Sequence, residues 1–376
     1  MKRDDAITII GAGPAGLASA IVLAKAGRRV VVRERRPSVG ARFHGDFQGL
    51  ENWSVEQDVL DELNALGVDA TIEARPVRKA VAFGADRIAR AVCGGAPLYY
   101  LIRRGSDAGA LDAALMRAAV EAGAEVRFGD EVARTPDNAI VATGPRRADV
   151  IAAGYVFETA DEETNLACFD DRLAPSGYAY LLTAGGRGTL AVCLFREFKR
   201  HAEFLDAARR FFVDGSGIEL RNARRFGGYG MVSRIPKIER AGRLLVGERA
   251  GLQDALAGFG LCYAMISGAL AARSILEGLH YEPLLRKRFA AIHRAGVANR
   301  LAYDLAPARV RNFALSRIAK ADARRPLQRL YGGSLLHDTL FSLASARFGA
   351  RLNHPGCDHV DCDCPWCREK TEDPRI

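Results

Sequence analysis

Repeats, long apolar runs and regularly paired cysteines are scarce in this sequence of 376 residues. No internal repeat or low-complexity linker is present, which argues against a repeat architecture. One uncharged run, residues 255–272, is long enough to raise the question of a membrane span, but its three glycines, tyrosine and serine favour a buried helix. The charged start, residues 1–5, leads directly into an apolar strand, so no signal peptide is expected.

The eight cysteines do not have the pattern of a disulfide framework. Four stand singly in apolar segments and are predicted to be buried thiols: Cys93, Cys168, Cys193 and Cys262. The other four crowd the last twenty residues. This distribution is typical of a reducing compartment, so a cytoplasmic protein is expected.

Composition indicates a globular chain with ample core, since 49% of the residues are hydrophobic and 26% are charged. The net charge of +9 comes from arginines spread along the chain. It is either a general compositional habit or a basic face for an anionic lipid surface or an acidic electron donor. No nucleic-acid-binding motif accompanies the charge, so no nucleic acid partner is expected.

The first thirty-six residues form a complete strand, glycine turn, helix, strand and acid unit. Residues 6–10 predict a buried strand, residues 11–16 (GAGPAG) a tight turn, and residues 17–26 a helix. Gly11 permits the turn, Gly13 lets the backbone approach a pyrophosphate, and Gly16 allows close packing of helix on strand. Glu34 ends the next strand, where a carboxylate can meet the adenosine ribose. The unit predicts a bound dinucleotide.

A second segment distinguishes a flavin from a nicotinamide dinucleotide. The strand at residues 243–246 ends at Gly247 and Glu248, a pattern that can hold the ribityl hydroxyls of FAD. The turn Gly258-Phe259-Gly260 then begins a helix whose positive N-terminus can face the flavin pyrimidine ring. The sequence therefore favours FAD.

Alternation of α/β and antiparallel patterns predicts an α/β protein in which a Rossmann-like FAD-binding domain is interleaved with an antiparallel-sheet substrate domain. The predicted FAD-binding domain comprises residues 1–75, 99–156 and 235–280, and the predicted substrate domain comprises residues 76–98 and 157–234. A helical region, 281–352, and a short Cys-rich tail, 353–376, follow.

These motifs resemble the geranylgeranyl reductase family of FAD-dependent oxidoreductases, which shares its architecture with p-hydroxybenzoate hydroxylase. The resemblance rests on Gly11-Ala12-Gly13-Pro14-Ala15-Gly16, Glu34, Arg103-Arg104, Ala142-Thr143-Gly144, Val246-Gly247-Glu248 with Ala250-Gly251, and Gly258-Phe259-Gly260 with Ser267-Gly268. It implies that Arg104, or its neighbour Arg103, lies along the pyrophosphate and ribityl chain. The expected FAD-binding residues are Gly11, Gly13, Pro14, Ala15, Gly16, Glu34, Arg35, Arg42, Arg104, Thr143, Gly144, Gly247, Glu248, Gly258, Phe259 and Gly260.

The family carries a Tyr-x-Trp-x-Phe-Pro segment that lines an isoprenoid channel, and its counterpart here is residues 177–183 (GYAYLLT). The first tyrosine is kept as Tyr178, whereas Tyr180 replaces the tryptophan. Alternation places Tyr178, Tyr180 and Leu182 on one face, which suits either a lipid groove or an ordinary sheet core. With Phe47 and Trp53 they form the expected substrate-contacting set.

A reductase needs a proton donor as well as a hydride. His44 and Asp46 follow the ribose-binding strand in a loop expected to approach the flavin, and Asp254 precedes the Gly258 turn as a rival. No Ser/His/Asp triad is apparent. No second glycine-rich unit is present, so electrons must come from transiently bound NAD(P)H, ferredoxin or another donor.

The tail gathers four thiols as C-x4-C-x-C-x2-C: Cys357, Cys362, Cys364 and Cys367. Clustered thiolates repel one another unless a cation collects them, so a Zn²⁺ site is the first hypothesis. An Fe–S cluster is the second, and an unliganded, redox-labile tail is the third.

Three functions follow from these features. The leading one is FAD-dependent reduction of carbon–carbon double bonds in a hydrophobic isoprenoid or polyene substrate. The alternatives are an FAD monooxygenase and a flavin- and metal-containing electron carrier or redox sensor. The arginine-rich helices after residue 281 either rest on a membrane surface or present ordinary solvated faces.

Overall fold

The structure is a computed structural model that describes residues 6–145, 148–160, 163–214, 217–232, 238–240, 242–320 and 322–351, with side chains to residue 344. The strands are β1 Ile7–Ile10, β2 Val30–Glu34, β3 Phe47–Glu51, β4 Arg75–Val77, β5 Lys79–Gly84, β6 Ala89–Cys93, β7 Tyr99–Arg103, β8 Glu125–Phe128, β9 Ile140–Val141, β10 Val150–Glu158, β11 Thr164–Phe169, β12 Tyr178–Ala184, β13 Arg187–Leu194, β14 Arg221–Gly230, β15 Glu239–Arg240 and β16 Arg243–Leu245. The helices are α1 Pro14–Lys25, α2 Val59–Ala65, α3 Leu111–Glu121, α4 His201–Val213, α5 Leu261–Glu277, α6 Tyr281–Leu305, α7 Ala308–Ala319, α8 Arg324–Tyr331 and α9 Leu335–Arg351.

The first of three described sheets is mostly parallel, in the order β15-β16-β9-β1-β2-β8. Its central strand β1 pairs in parallel with β2 and with β9, and only the edge pair β15–β16 is antiparallel. The inner strands β1, β2 and β9 are short and mostly buried, as is usual for a parallel sheet inside a domain, so they show no polar alternation. Helices α1, α3 and α5 share one hydrophobic core with this sheet. The predicted Rossmann-like domain is confirmed.

The second described sheet has the order β14-β10-β13-β12-β11-β5-β6. All its pairs are antiparallel except β11 with β5. Helix α4 packs on one face, where Ala179 and Leu181 of β12 contact a core that includes Phe204 and Phe212. The alternation along β12 turns Tyr178, Tyr180 and Leu182 to the other face.

A small third sheet, β3-β7-β4, joins the two domains. Its central strand β7 pairs in antiparallel fashion with β3 and with β4. β10 also belongs to the seven-stranded sheet. The predicted domain boundary after residue 156 therefore shifts to about residue 149, because the whole of β10 hydrogen-bonds to β13 and β14.

The C-terminal region is helical, as predicted. Helix α6 packs against α5, α8 and α9, and α7 lies along β5 and β6. Among the described residues, none of the helices combines the length and apolar character that a membrane span requires.

Candidate functional site

The glycine turn after β1 has one glycine for each of three tasks. Gly11 has a φ of +103°, and a Cβ there would lie 2.4 Å from the carbonyl oxygen of Ala142. A Cβ on Gly16 would lie 2.0 Å from the carbonyl oxygen of Gly11. At Gly13 a Cβ would meet no atom of the described residues within 4 Å, so this backbone faces open space at the start of α1. An anion such as a pyrophosphate fits that position.

Glu34 is fixed beside this turn. Its carboxylate accepts the backbone N–H of Ala12 at 2.8 Å and that of Arg36 at 2.9 Å. Arg35 lines the same rim of the site. The acid therefore stands at the end of β2, next to the turn, where the sequence analysis expected the ribose-binding carboxylate.

Close packing of α1 against α5 brings the second glycine segment to the first. A Cβ on Gly268 would lie 2.1 Å from the carbonyl oxygen of Ala15, so only glycine allows this approach. The hydroxyl of Ser19 donates to the carbonyl of Gly268 at 2.9 Å, and Gly247 N–H donates to the Ser267 hydroxyl at 2.9 Å. The site is thus built from segments more than 200 residues apart.

Both glycine segments line one cavity of about 1260 Å³. This exceeds the roughly 300–1,000 Å³ typical of a pocket for a single small ligand, so it can accommodate a dinucleotide and a second molecule. Of the predicted FAD-binding residues, those that line it are Gly11, Gly13, Pro14, Ala15, Glu34, Arg35, Arg42, Arg104, Thr143, Gly144, Gly247, Glu248, Gly258, Phe259 and Gly260. Gly16 lies behind the turn in the contact between helix and strand, in accordance with its packing role.

Arg104, rather than Arg103, reaches the cavity. Arg103 forms ion pairs with Glu73 and Asp107. The guanidinium of Arg104 donates to both carboxylate oxygens of Asp112, at 2.9 and 2.8 Å, and to Gln48 at 3.1 Å. The sequence analysis missed Asp112, although an acid in the first turn of a predicted helix was a usable signal.

Glu248 lies within the cavity near two cations. Burial raises its pKa, while the charges of Arg42 and Arg104 act in the opposite direction. Arg42 also stacks over the ring of Phe43, its guanidinium carbon 4.7 Å from the ring centroid. One carboxylate between two arginines can bind ligand hydroxyls while the arginines meet phosphate oxygens.

Two of the three candidate proton donors lie at the cavity. His44 is exposed at its rim, and Asp46 is buried. The Asp46 carboxylate accepts the backbone N–H of His44 at 3.2 Å and the side-chain amide of Gln48 at 2.8 Å. Their roles in proton delivery stay predictions.

Asp254 has a different position from the one expected. It is not among the described residues that line the cavity. Its carboxylate accepts the backbone N–H groups of Leu256 and Ala257, at 3.0 and 2.8 Å, and the hydroxyl of Tyr331 at 2.9 Å. It therefore organises the turn that leads to Gly258, as aspartate commonly does in turns.

The predicted substrate residues divide in a similar way. Tyr178, Tyr180, Leu182 and Trp53 line the cavity, and Trp53 makes an edge-to-face contact with Phe259 at 5.1 Å between centroids. Phe47 is instead buried in a small cluster with neighbours that include Val77 and Leu101. The prediction for Phe47 is wrong because alternation along β3 turns its side chain into the interior of the three-stranded sheet.

A buried arginine cluster at the other end of the cavity was also missed. Arg300 is 1% exposed, donates to the carbonyl of Leu256 and to Asp304 at 2.9 Å each, and stacks on Tyr303. Arg311 pairs with Asp171 and also stacks on Tyr303. From the sequence, these arginines could be interpreted as solvated charges on helix faces, because neighbouring residues do not indicate what a helix face will contact.

Glu51, behind the Gly258 turn, gives a testable pH dependence. Burial raises its pKa to about 8, and its Oε2 has no hydrogen-bond partner among the described residues. The folded protein therefore holds this proton where the unfolded chain has released it. The contribution of Glu51 to the free energy of unfolding is therefore fully present below about pH 4.5. It falls by about 1.4 kcal/mol per pH unit from there up to about pH 8. We expect Glu51→Gln to remove this decline, measured as the free energy of unfolding in urea between pH 5 and 8. An unchanged pH slope would contradict it.

Cys357, Cys362, Cys364 and Cys367 lie outside the described residues. Among the residues that are described, no group of three or more His, Cys, Asp or Glu side chains could hold a metal ion.

Comparison with known proteins agrees with this geometry. Residues 4–150 match the model of the FAD binding domain family. Over 340 residues the chain is 28% identical to the digeranylgeranylglycerophospholipid reductase of Methanosphaerula palustris, covering 77% of this chain and 81% of the relative.

Two solved structures share the fold. A geranylgeranyl bacteriochlorophyll reductase-like protein from Thermoplasma acidophilum superposes with a TM-score of 0.67 at 18% identity, over 93% of this chain and 98% of the other. A p-nitrophenol 4-monooxygenase from Pseudomonas putida has a TM-score of 0.61 at 14% identity, over 88% of this chain and the whole of the other. The predicted resemblance is confirmed: this chain has an FAD binding domain, is an FAD-dependent oxidoreductase and is similar to geranylgeranyl-type reductases.

Proposed function

We propose that this oxidoreductase reduces carbon–carbon double bonds of a hydrophobic isoprenoid or polyene substrate. The observation that carries the proposal is the continuation of the cavity beyond the Gly258 turn into an apolar section between the seven-stranded sheet and helices α7 and α8. Its wall there includes Ala82, Val92, Leu98, Leu166, Leu182, Phe226, Leu315, Ile318 and Leu327. A long apolar section suits an unbranched or methyl-branched chain, whose burial gives about 0.8 kcal/mol for each CH₂ group.

The relatives support the same class of substrate, since the curated proteins that match most of this chain are named digeranylgeranylglycerophospholipid reductases. The residue types present fit FAD, which when bound supplies hydride transfer. Gly13 and the start of α1 would hold its pyrophosphate, Glu34 its ribose, and Glu248 with Arg42 and Arg104 its ribityl chain and phosphates. The N-terminus of α5 would place a positive dipole end at the ring, while His44 or Asp46 would hold the proton.

The experiment is a reaction of the anaerobically reduced protein with a geranylgeranyl lipid. Reoxidation of the flavin absorbance without oxygen, with a product heavier by two hydrogens per double bond, would support the proposal. Substrate-dependent oxygen consumption with an oxygenated product would support the monooxygenase instead. Flavin reduction by a donor with no turnover of either kind would support an electron carrier.

Narrowing the apolar section tests where the substrate lies. Ala167 of β11 lines the cavity, so we expect Ala167→Phe to lower kcat/KM by roughly 10- to 200-fold, the effect of a misfit in an apolar pocket. Flavin content should not change. Ala223→Phe, on the exposed part of β14, is the matched control and should leave kcat/KM unaltered. Equal rates for all three proteins would place the substrate elsewhere.

For the tail we propose a Zn²⁺ site, with an Fe–S cluster as the alternative, and for the electron donor NAD(P)H or ferredoxin. Metal analysis and an absorbance spectrum of the purified chain, with and without Cys362→Ser and Cys364→Ser, test the tail. One equivalent of zinc lost on substitution supports the first, brown absorbance supports the second, and a metal-free tail removes both.

A further inference from the structure

We propose that α7 docks on the surface of an anionic lipid bilayer and covers the substrate end of the cavity. The helix has two different faces. Its inner face lines the cavity with four apolar residues at helical spacing: Val310, Ala314, Leu315 and Ile318. None of its twelve residues, all of which the structure describes, is buried. α7 is therefore a surface helix that covers one side of the cavity, with a small apolar cluster beneath part of it.

Polar contacts hold this cover against the sheet. Arg311 donates to Asp171 at 3.0 Å, Asn312 accepts the backbone N–H of Ala85 at 3.0 Å, and Arg90 donates to the hydroxyl of Ser316 at 2.8 Å. Such contacts contribute only about 0.5–1.5 kcal/mol each, or somewhat more where both groups are charged. Leu315, Ile318 and Ala319 also pack against a small cluster of buried residues on the sheet, so apolar and polar contacts together hold α7 in place.

The outer face combines an exposed aromatic side chain with positive charge. Phe313 is 68% exposed, which makes it the most exposed large hydrophobic residue that the structure describes before α9; Leu305 follows at 59%. Arg309, Arg317 and Lys320 are exposed around Phe313 at spacings of four to seven residues, which places them on the same side of a helix. A ring that inserts among acyl chains, surrounded by cations that meet headgroup phosphates, is the pattern of an interfacial helix.

Charge favours a bilayer over the other occupants of an apolar face. Between Leu305 and Tyr331 the sequence has seven arginine or lysine residues and a single acid, Asp322. Two copies of such a surface would repel each other, which disfavours a dimer through this face. An anionic bilayer attracts each basic residue near its surface by an amount that corresponds to roughly fivefold in affinity.

The proposal rests on the proposed function in one respect: a lipid substrate would leave the bilayer directly beneath the helix that closes its cavity. Docking itself requires no turnover. Vesicle binding can therefore fail while lipid reduction holds, or hold while lipid reduction fails, and the two results are read separately.

The experiment is co-sedimentation of the full-length FAD-bound protein with vesicles of pure phosphatidylcholine or of phosphatidylcholine with 30 mol% phosphatidylglycerol, a composition chosen as a roughly one-third anionic surface. We expect binding to the anionic vesicles and its loss in high salt, since screening removes surface attraction. Arg309→Gln/Arg317→Gln should weaken binding by roughly 25-fold, and Phe313→Ser by roughly tenfold or more.

Two control variants make the same changes elsewhere. Lys199→Gln/Arg240→Gln removes two exposed positive charges. Val120→Ser replaces an apolar side chain on α3 that is 51% exposed. Both should bind as the unchanged protein does. Equal binding by all variants, or equal binding to neutral vesicles, would overturn the proposal. So would a Phe313→Ser protein whose only change is a smaller oligomer in light scattering, because that outcome assigns the face to a second copy.

Discussion

Gly13→Ala is expected to yield a folded protein that no longer retains FAD, whereas Gly16→Ala is expected to weaken the fold itself. Gly13 has an ordinary extended backbone, with φ of −79° and ψ of 176°, and a Cβ there meets no atom of the described residues within 4 Å. The added methyl group therefore costs the fold little. It occupies the space in which a pyrophosphate must approach the backbone. We expect this clash to weaken FAD binding by about 1–3 kcal/mol, or roughly 5- to 150-fold in affinity.

At Gly16 the same methyl group would lie 2.0 Å from a backbone oxygen of the turn. Because the methyl group and the oxygen are both fixed to backbone, neither can rotate away. The expected loss of folding free energy is therefore near the upper end of the range for overpacking, about 3 kcal/mol. Alanine recovers about 1 kcal/mol through its helix propensity, which leaves a net loss of about 2 kcal/mol. Thermal unfolding of the FAD-free proteins and titration with FAD separate the two variants. A Gly13→Ala protein that retains FAD as tightly as the unchanged protein would contradict the assignment of the turn.

Asp112→Asn is expected to destabilise the protein by about 3–5 kcal/mol, because it removes the charged partner of the two-bond ion pair with the buried Arg104. Arg104 is 5% exposed and Asp112 is 1% exposed, and the carboxylate also accepts the backbone N–H of Gly105 at 3.0 Å. Burial would raise the pKa of Asp112, yet the charge and hydrogen bonds of Arg104 hold it below its usual value. Its contribution is therefore present above about pH 4, the value in an unfolded chain, and is lost as the pH falls.

Urea denaturation at pH 7 measures this loss, and the double variant Arg104→Met/Asp112→Leu is its control. Replacing both partners by apolar side chains is often neutral for stability, so most of the loss should be recovered, apart from the bond to Gly105. The double variant should nevertheless bind FAD more weakly than the unchanged protein, because it lacks the Arg104 guanidinium at the cavity. A single variant as stable as the unchanged protein would show that the pair contributes little.

The sequence allowed the cofactor half of the site to be predicted because its requirements are local. The order strand, glycine turn, helix and acid fixes where Gly11, Gly13 and Glu34 must lie, and the Gly258 turn is found just before α5 as expected. Alternation along β12 likewise predicted which side chains share a face, though not which of two environments that face meets. In the structure that face lines the cavity.

The remaining residues could not be placed because their environment is set by contacts distant in sequence. Asp254 satisfies a turn whose need for a carboxylate is visible only once Leu256 and Ala257 present their N–H groups. Phe47 turns inward because β3 pairs with β7, some fifty residues later, in a register that no local pattern encodes. The alternating domains make such long-range pairings common, which is why the boundary at β10 was also misplaced.

The packing of α1 on α5 has a consequence for synthesis of the chain. Ser19 donates to the carbonyl of Gly268, 249 residues later, and α5 with the Gly258 turn before it completes the cradle that Gly13 begins. A nascent chain released by the ribosome only as far as β16 would have the first half of the cradle and nothing to close it. Capture of the flavin is therefore a late event in the maturation of this protein, and fragments truncated before α5 should emerge colourless even when flavin is abundant.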